Sequence, residues 1–79
     1  MRVFVKLYAN LVRHVAGTKP GVPFEMDVPE GTTLGELAIH LHIPPEEVRI
    51  AFVGGRVQPE LWVLAPADEI GIFPSIGGG

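Results

Sequence analysis

Four stretches carry residue types capable of chemistry. The chain closes on "PSIGGG", Pro74 to Gly79. Glycine loses more backbone freedom on ordering than any other residue, so a glycine run finishes a strand or helix poorly. What it offers instead is a narrow, extendable lead to a carboxylate. His14, His40 and His42 raise the question of a metal. His40 and His42 are two apart, whereas helical neighbours on one face are three or four apart. A solvent or boundary role is the better reading, and no metal site is expected. Glu46 and Glu47 follow Pro44-Pro45 and read as the first turn of a short helix, where acids face the positive end of its dipole. No base stands near them to complete a carboxylate catalyst. Gly54-Gly55-Arg56 lacks the strand–loop–helix setting and the Lys-Ser/Thr of a phosphate loop. It reads as a hairpin turn that leaves Arg56 as a surface cation for an acidic partner.

The rest of the composition narrows the chemistry further. Seventy-nine residues make one domain with one small core. There is no cysteine, which removes disulfides, thiolate metal sites and cysteine nucleophiles together. Stability has to come from packing, for which a 47% hydrophobic content is ample. Nine acids against six scattered bases give a net charge of −3, so the concentrated basic face that nucleic acid requires is absent. The N-terminus is too short and charged for a signal peptide, and no apolar run approaches the ~20 residues of a membrane span. A cytoplasmic protein that binds neither nucleic acid nor membrane is expected.

These groups must be held by a few short elements. "RVFVKLY" alternates, with Val3, Val5 and Leu7 on one face and Arg2, Phe4, Lys6 and Tyr8 on the other, as in a half-buried strand. "ANLVRHVAG" predicts one or two helical turns, with Asn10 as N-cap and Gly17 as stop. "VPFEMDVP" predicts a second strand paired with the first, Phe24, Met26 and Val28 facing inward. Thr33 and Glu36 fit a capping box, and Leu34, Leu37, Ala38 and Leu41 recur at helical spacing until Pro44 and Pro45 stop the main helix. A strand over Arg49 to Val53, the Gly54-Gly55 turn and a short return strand through Val57 follow. "PELWVLAPADE" predicts an irregular loop. A last strand, "EIGIF", sets Ile70 and Ile72 against Gly71 and Phe73 before Pro74 interrupts the pairing.

Two strands, a crossing helix and further strands make an α+β layer with one mixed sheet. The residues "VKLYANLVRHVAG", "VPEGTTLGEL", "VGGRV" and "DEIGIFPSIGGG" span nearly the whole chain in order. Together they resemble the small ubiquitin-like sulfur carriers, the molybdopterin synthase small subunit (MoaD) and its thiamine-pathway relative (ThiS). The extra helical segment after the first strand leans toward the molybdopterin branch. Gly54, Ala67 and Ser75 depart from residues frequent in the family, namely an asparagine, a turn glycine and a second proline. The resemblance implies a β-grasp fold: a mixed sheet of four to five strands, one main helix on one face and a short extra helix. Residues 1–73 would form the globular domain and 74–79 a flexible tail.

The resemblance further implies that the Gly79 carboxylate is adenylated by an ATP-dependent, ubiquitin-activating-like enzyme and converted to a thiocarboxylate. The protein would then be a carrier and co-substrate that binds no cofactor itself, ATP being used by the partner. In the molybdopterin branch it would be the small subunit of a synthase whose large subunit accepts the sulfur. Thiazole or tRNA thiolation, and a modifier conjugated through Gly79, are the alternatives; a plain β-grasp interaction module is a third. The chemistry agrees with the residues. A carboxylate of pKa ~3.5 is an anion at neutral pH and a poor electrophile until a leaving group is attached. Ile76, Gly77 and Gly78 would thread into the partner, and Pro74 to Gly79 can reach roughly 20 Å when extended. Insertion costs tail entropy, so the body needs a docking surface. Phe73, Pro74, Phe4 and Arg56 are the candidates. If the loop 59–66 with Trp62 covers that sheet face, the rings are core instead.

Overall fold

The computed structural model describes residues 1–75. Five strands form one sheet in the order β2-β1-β5-β3-β4: β1 Arg2–Leu7, β2 Phe24–Asp27, β3 Val48–Val53, β4 Arg56–Val57 and β5 Glu69–Pro74. The central pair, β1 and β5, is parallel, with Val5 opposite Ile70 and Leu7 opposite Ile72; every other pair is antiparallel. One helix, α1 Leu34–His40, and the apolar ends of the loops cover a single face. This is the β-grasp arrangement expected from the sequence, with five strands.

The alternation in "RVFVKL" is realised without exception. Val3, Val5 and Leu7 are fully buried, and they meet Ile70 and Ile72 from β5 and Leu34, Leu37, Ala38 and Leu41 from the helix region. Each fully buried aliphatic side chain contributes about 1.5–3 kcal/mol, and in a chain without cysteine these contacts carry the fold. Thr33 caps α1 as its spacing with Glu36 predicts: Glu36 N–H donates to Thr33 Oγ1 at 3.2 Å, and Thr33 N–H donates to Glu36 Oε1 at 3.0 Å.

Three expectations need correction. The prolines do not stop α1. His42 does so, in the left-handed region at φ 60°, with His42 N–H donating to Ile39 O and Ile43 N–H to Ala38 O, both at 2.9 Å. That double bond is a Schellman ending, completed by burial of Ile43; Pro44 and Pro45 start a separate 3₁₀ turn, Pro45–Glu47. The extra helix after β1 is a 3₁₀ helix, Ala9–His14, entered through Tyr8 with no side-chain cap, so Asn10 is not the N-cap. Ala9 takes φ 51°, turning the chain sharply enough to drop Leu11 into the core. Lastly, β5 runs on through Pro74, which lies opposite Val48, one residue beyond the expected domain boundary. Proline has no N–H for the ladder, and the register accordingly shifts between Val48 and Ile50, leaving Arg49 as the extra, exposed residue.

Among the described residues, no helix is long and apolar enough to cross a membrane.

Candidate functional site

Ile76, Gly77, Gly78 and Gly79 lie outside the described residues, so the site is built from the body that presents them. β5 delivers the chain end, and its alternation decides what surrounds it. Ile70 and Ile72 face the core; Glu69, Gly71 and Phe73 face the opposite side of the sheet. Phe73 is half-buried there. Its ring stacks on Tyr8 at a centroid distance of 4.1 Å and 5° between planes, and it meets Phe52 edge-on at 5.4 Å and 72°. Gly71 makes this possible. It lies between Lys6 of β1 and Phe52 of β3, and a Cβ built on it would stand 3.4 Å from the Tyr8 ring. A longer side chain there would lift Tyr8 off the sheet. Aromatic pairs in these geometries contribute about 0.5–1.5 kcal/mol beyond their buried area, so the three rings form a firm platform.

The four residues expected to share a docking surface are not all together. Phe73 and Pro74 close β5. Phe4 is on the same outer face but pairs with Glu25 and Glu69, four residues back along the sheet, about 13 Å from Phe73. Arg56 pairs with the buried Val53, and paired residues share a face, so Arg56 belongs to the helix side at the sheet edge. The loop containing Trp62 does not cover the aromatic face. Leu34 N–H donates to Trp62 O, Gly35 N–H to Glu60 O and Leu64 N–H to Thr32 O, which fastens the loop beside the start of α1. Sequence reasoning missed Tyr8 and Phe52 as partners of Phe73. Period-two alternation placed Tyr8 on this face, but pairing with Phe52 depends on β3–β5 register.

Where the chain leaves the body, it is held. Ser75 N–H donates to Glu47 O at 2.8 Å and Ser75 Oγ to Glu46 O at 3.1 Å. Glu47 in turn reaches the first 3₁₀ helix: its Oε1 accepts from Arg13 Nη2 and lies 2.9 Å from His14 Nε2. The His14 hydrogen bond above all, opposed by desolvation and helped by the Arg13 charge, holds the Glu47 carboxyl below its ordinary value. His14 is therefore a structural partner; His40 and His42 are exposed. A concavity of about 500 Å³ lies on the helix side between α1, β3 and the loop through Leu61. Its Thr33 and Glu36 are engaged in the cap, and Arg49, Gln58 and Glu60 stand among its otherwise apolar walls.

The model of the ThiS family matches residues 5–79. The chain belongs to the ThiS family. Solved structures agree on the fold. The chain is similar to SAMP1 from Haloferax volcanii (TM-score 0.69, 21% identity, 100% of both chains). It is also similar to H. volcanii small archaeal modifier protein 1 in a second structure (TM-score 0.71, 20% identity, 95% of this chain and 98% of that one). A putative molybdopterin converting factor subunit 1 from Pyrococcus furiosus gives TM-score 0.72 and 22% identity over 96% of this chain and 99% of that one. No curated protein sequence matches. The family match places this member's aromatic platform and hydrogen-bonded chain exit on a β-grasp body of the ThiS/MoaD type.

Proposed function

We propose that this ThiS-family chain is a sulfur carrier whose reactive group is the Gly79 carboxylate. The observation that carries the reading is the family match running through the glycine tail to residue 79, in a chain with no cysteine to hold sulfur. A carboxylate oxygen attacks the α-phosphorus of ATP in the partner's site, pyrophosphate leaves, and the acyl adenylate becomes electrophilic. A hydrosulfide-level nucleophile then displaces AMP, leaving a thiocarboxylate. The carrier supplies the tail and the docking surface; the partner supplies ATP and the chemistry. Tyr8, Phe52 and Phe73 are the natural core of that surface, since buried aromatic anchors dominate interface energetics. Molybdopterin synthesis is the favoured destination, with the synthase large subunit as acceptor, because the segment between β1 and β2 carries the additional helix.

Incubation with the cognate activating enzyme, ATP and sulfide should replace one oxygen by sulfur at Gly79, read by intact-mass spectrometry. Loss of the product on deleting Gly78-Gly79, with unchanged thermal unfolding, is the expected control. An unmodified carboxylate after incubation with an enzyme that adenylates a known carrier would sink the reading. A second reading, a modifier joined through Gly79 to lysines, shares the adenylation step, and two of the structures of like fold are small archaeal modifier proteins. Covalent high-mass adducts in cells that vanish with Gly79 would favour it; thiocarboxylate without adducts favours transfer.

A further inference from the structure

Ordering the chain end before binding lowers the cost of inserting it into a partner, and one residue sits at the junction of the contacts that hold the chain where it leaves the body. Glu47 accepts the Ser75 N–H on its backbone carbonyl at 2.8 Å, beside the bond from Ser75 Oγ to Glu46 O at 3.1 Å. On its side chain the same residue binds Arg13 and His14 of the first 3₁₀ helix, His14 at 2.9 Å. His14 itself is largely enclosed, with 18% of its side chain exposed, and Glu47 has 27%. The turn Pro45–Glu47 is only three residues long, and its own backbone bonds are Glu47 N–H on Pro44 O and Val48 N–H on Pro45 O. The carboxylate contacts are what tie this turn to the first 3₁₀ helix. The Ser75 N–H matters because a proline at this position would have none to give.

We propose that Glu47 is a positioning residue, part of a brace running from Arg13 and His14 through Glu47 to Ser75 that fixes the direction in which the C-terminal tail departs toward the activating partner. This rests on the carrier reading for its purpose, though not for its existence. The brace does no chemistry. It removes, before docking, part of the ordering that insertion would otherwise require, and pre-organisation of that kind acts on the encounter rather than on the reacting step. Both 3₁₀ segments and the chain end are thereby coupled through one residue, by its side chain to Arg13 and His14 and by its backbone carbonyl to Ser75.

The test has two independent readouts on the full chain. In the free protein, amide hydrogen exchange at Ser75 should accelerate at least about tenfold in Glu47→Ala while the β1 and β5 core amides keep their protection. Pyrophosphate release with the cognate activating enzyme and ATP, followed against carrier concentration, should show KM raised about three- to tenfold in Glu47→Ala with kcat within about twofold of the parent. Glu47→Gln, whose amide oxygen still accepts from Arg13 and His14, should recover most of the KM loss. Ser75→Ala, which removes one of the two exit bonds, should fall between. Unchanged Ser75 exchange in Glu47→Ala overturns the brace. Accelerated exchange with parental KM overturns its role in docking. Should the parent itself release no pyrophosphate, the carrier reading fails while the exchange result still decides the brace.

Discussion

At the scale of single residues, the least expected finding is His42. It ends α1 in the left-handed region at φ 60°, where L side chains crowd the backbone and glycine does not. Its side chain is exposed, so nothing in the core compensates. Replacing His42 by glycine should stabilise the protein by about 0.5–1 kcal/mol, after allowing for the added freedom of the unfolded chain. In a domain of this size that is a melting-temperature rise of a few degrees, about 2–8 °C, in a thermal unfolding scan. His42→Ala keeps the strain and should show no such rise; a glycine variant that melts at or below the parent would refute the account. The sequence hid this because a helix pattern followed by two prolines already had a sufficient stop signal. Gly71 shows the converse: its neutrality in the strand pattern concealed a space that the Tyr8 ring occupies.

Among the elements, α1 was the most legible, because its cap and its apolar spacing are local. Thr33→Ala removes the side-chain acceptor for Glu36 N–H and should cost about 1 kcal/mol, read as a fall of several degrees in melting temperature. The hydrogen bond from Thr33 N–H, followed by that from its hydroxyl, lowers the Glu36 carboxyl from its ordinary value. Because the folded-state pKa is depressed, this support is complete above the unfolded value and disappears as pH falls through the folded one. The melting-temperature gap between parent and Glu36→Gln should therefore be widest near neutrality and narrow in acid. A gap independent of pH would remove the ionised capping box from the explanation. The segment Ala9–His14 was less legible. Ala9, Leu11 and Arg13 are good helix formers, so local preference did not announce the 3₁₀ form, which goes with the turn at Ala9 and the burial of Leu11, a tertiary demand.

For the whole molecule, the contacts that matter join distant parts of the chain. Glu47 ties the two 3₁₀ segments across 34 residues through Arg13. Its carboxyl is held below the ordinary value of 4.5, first by the His14 hydrogen bond, so the sign is again that of an acid favoured when ionised. The clasp is whole above the unfolded pKa and is lost as pH drops through the folded one. Relative to Glu47→Gln, the parent should lose its advantage in chemical-denaturant midpoint over that acid range. An advantage that grows on acidification would contradict the geometry. The same long-range logic governs the platform: Tyr8 follows β1, Phe52 is in β3 and Phe73 in β5, and only the strand order β1-β5-β3 sets them side by side.

Periodicity, the capping box and the Gly54-Gly55 turn are local properties, and from them the sequence by itself determined the strand faces, the main helix and the α+β layer class, while the β-grasp fold and the family came from the resemblance of four longer stretches. Those signals need no knowledge of neighbours: period two and period 3.6 report burial directly. Only the tertiary structure decided that Phe73 stacks on Tyr8 while Phe4 and Arg56 stand apart, that the Trp62 loop lies by α1, and that Ser75 is held by Glu46 and Glu47. Each depends on register and on residues distant in the sequence being brought into contact, as with Ser75 and Glu46, 29 apart. A one-residue slip in register would turn each of those side chains to the other face, and no local pattern specifies that choice.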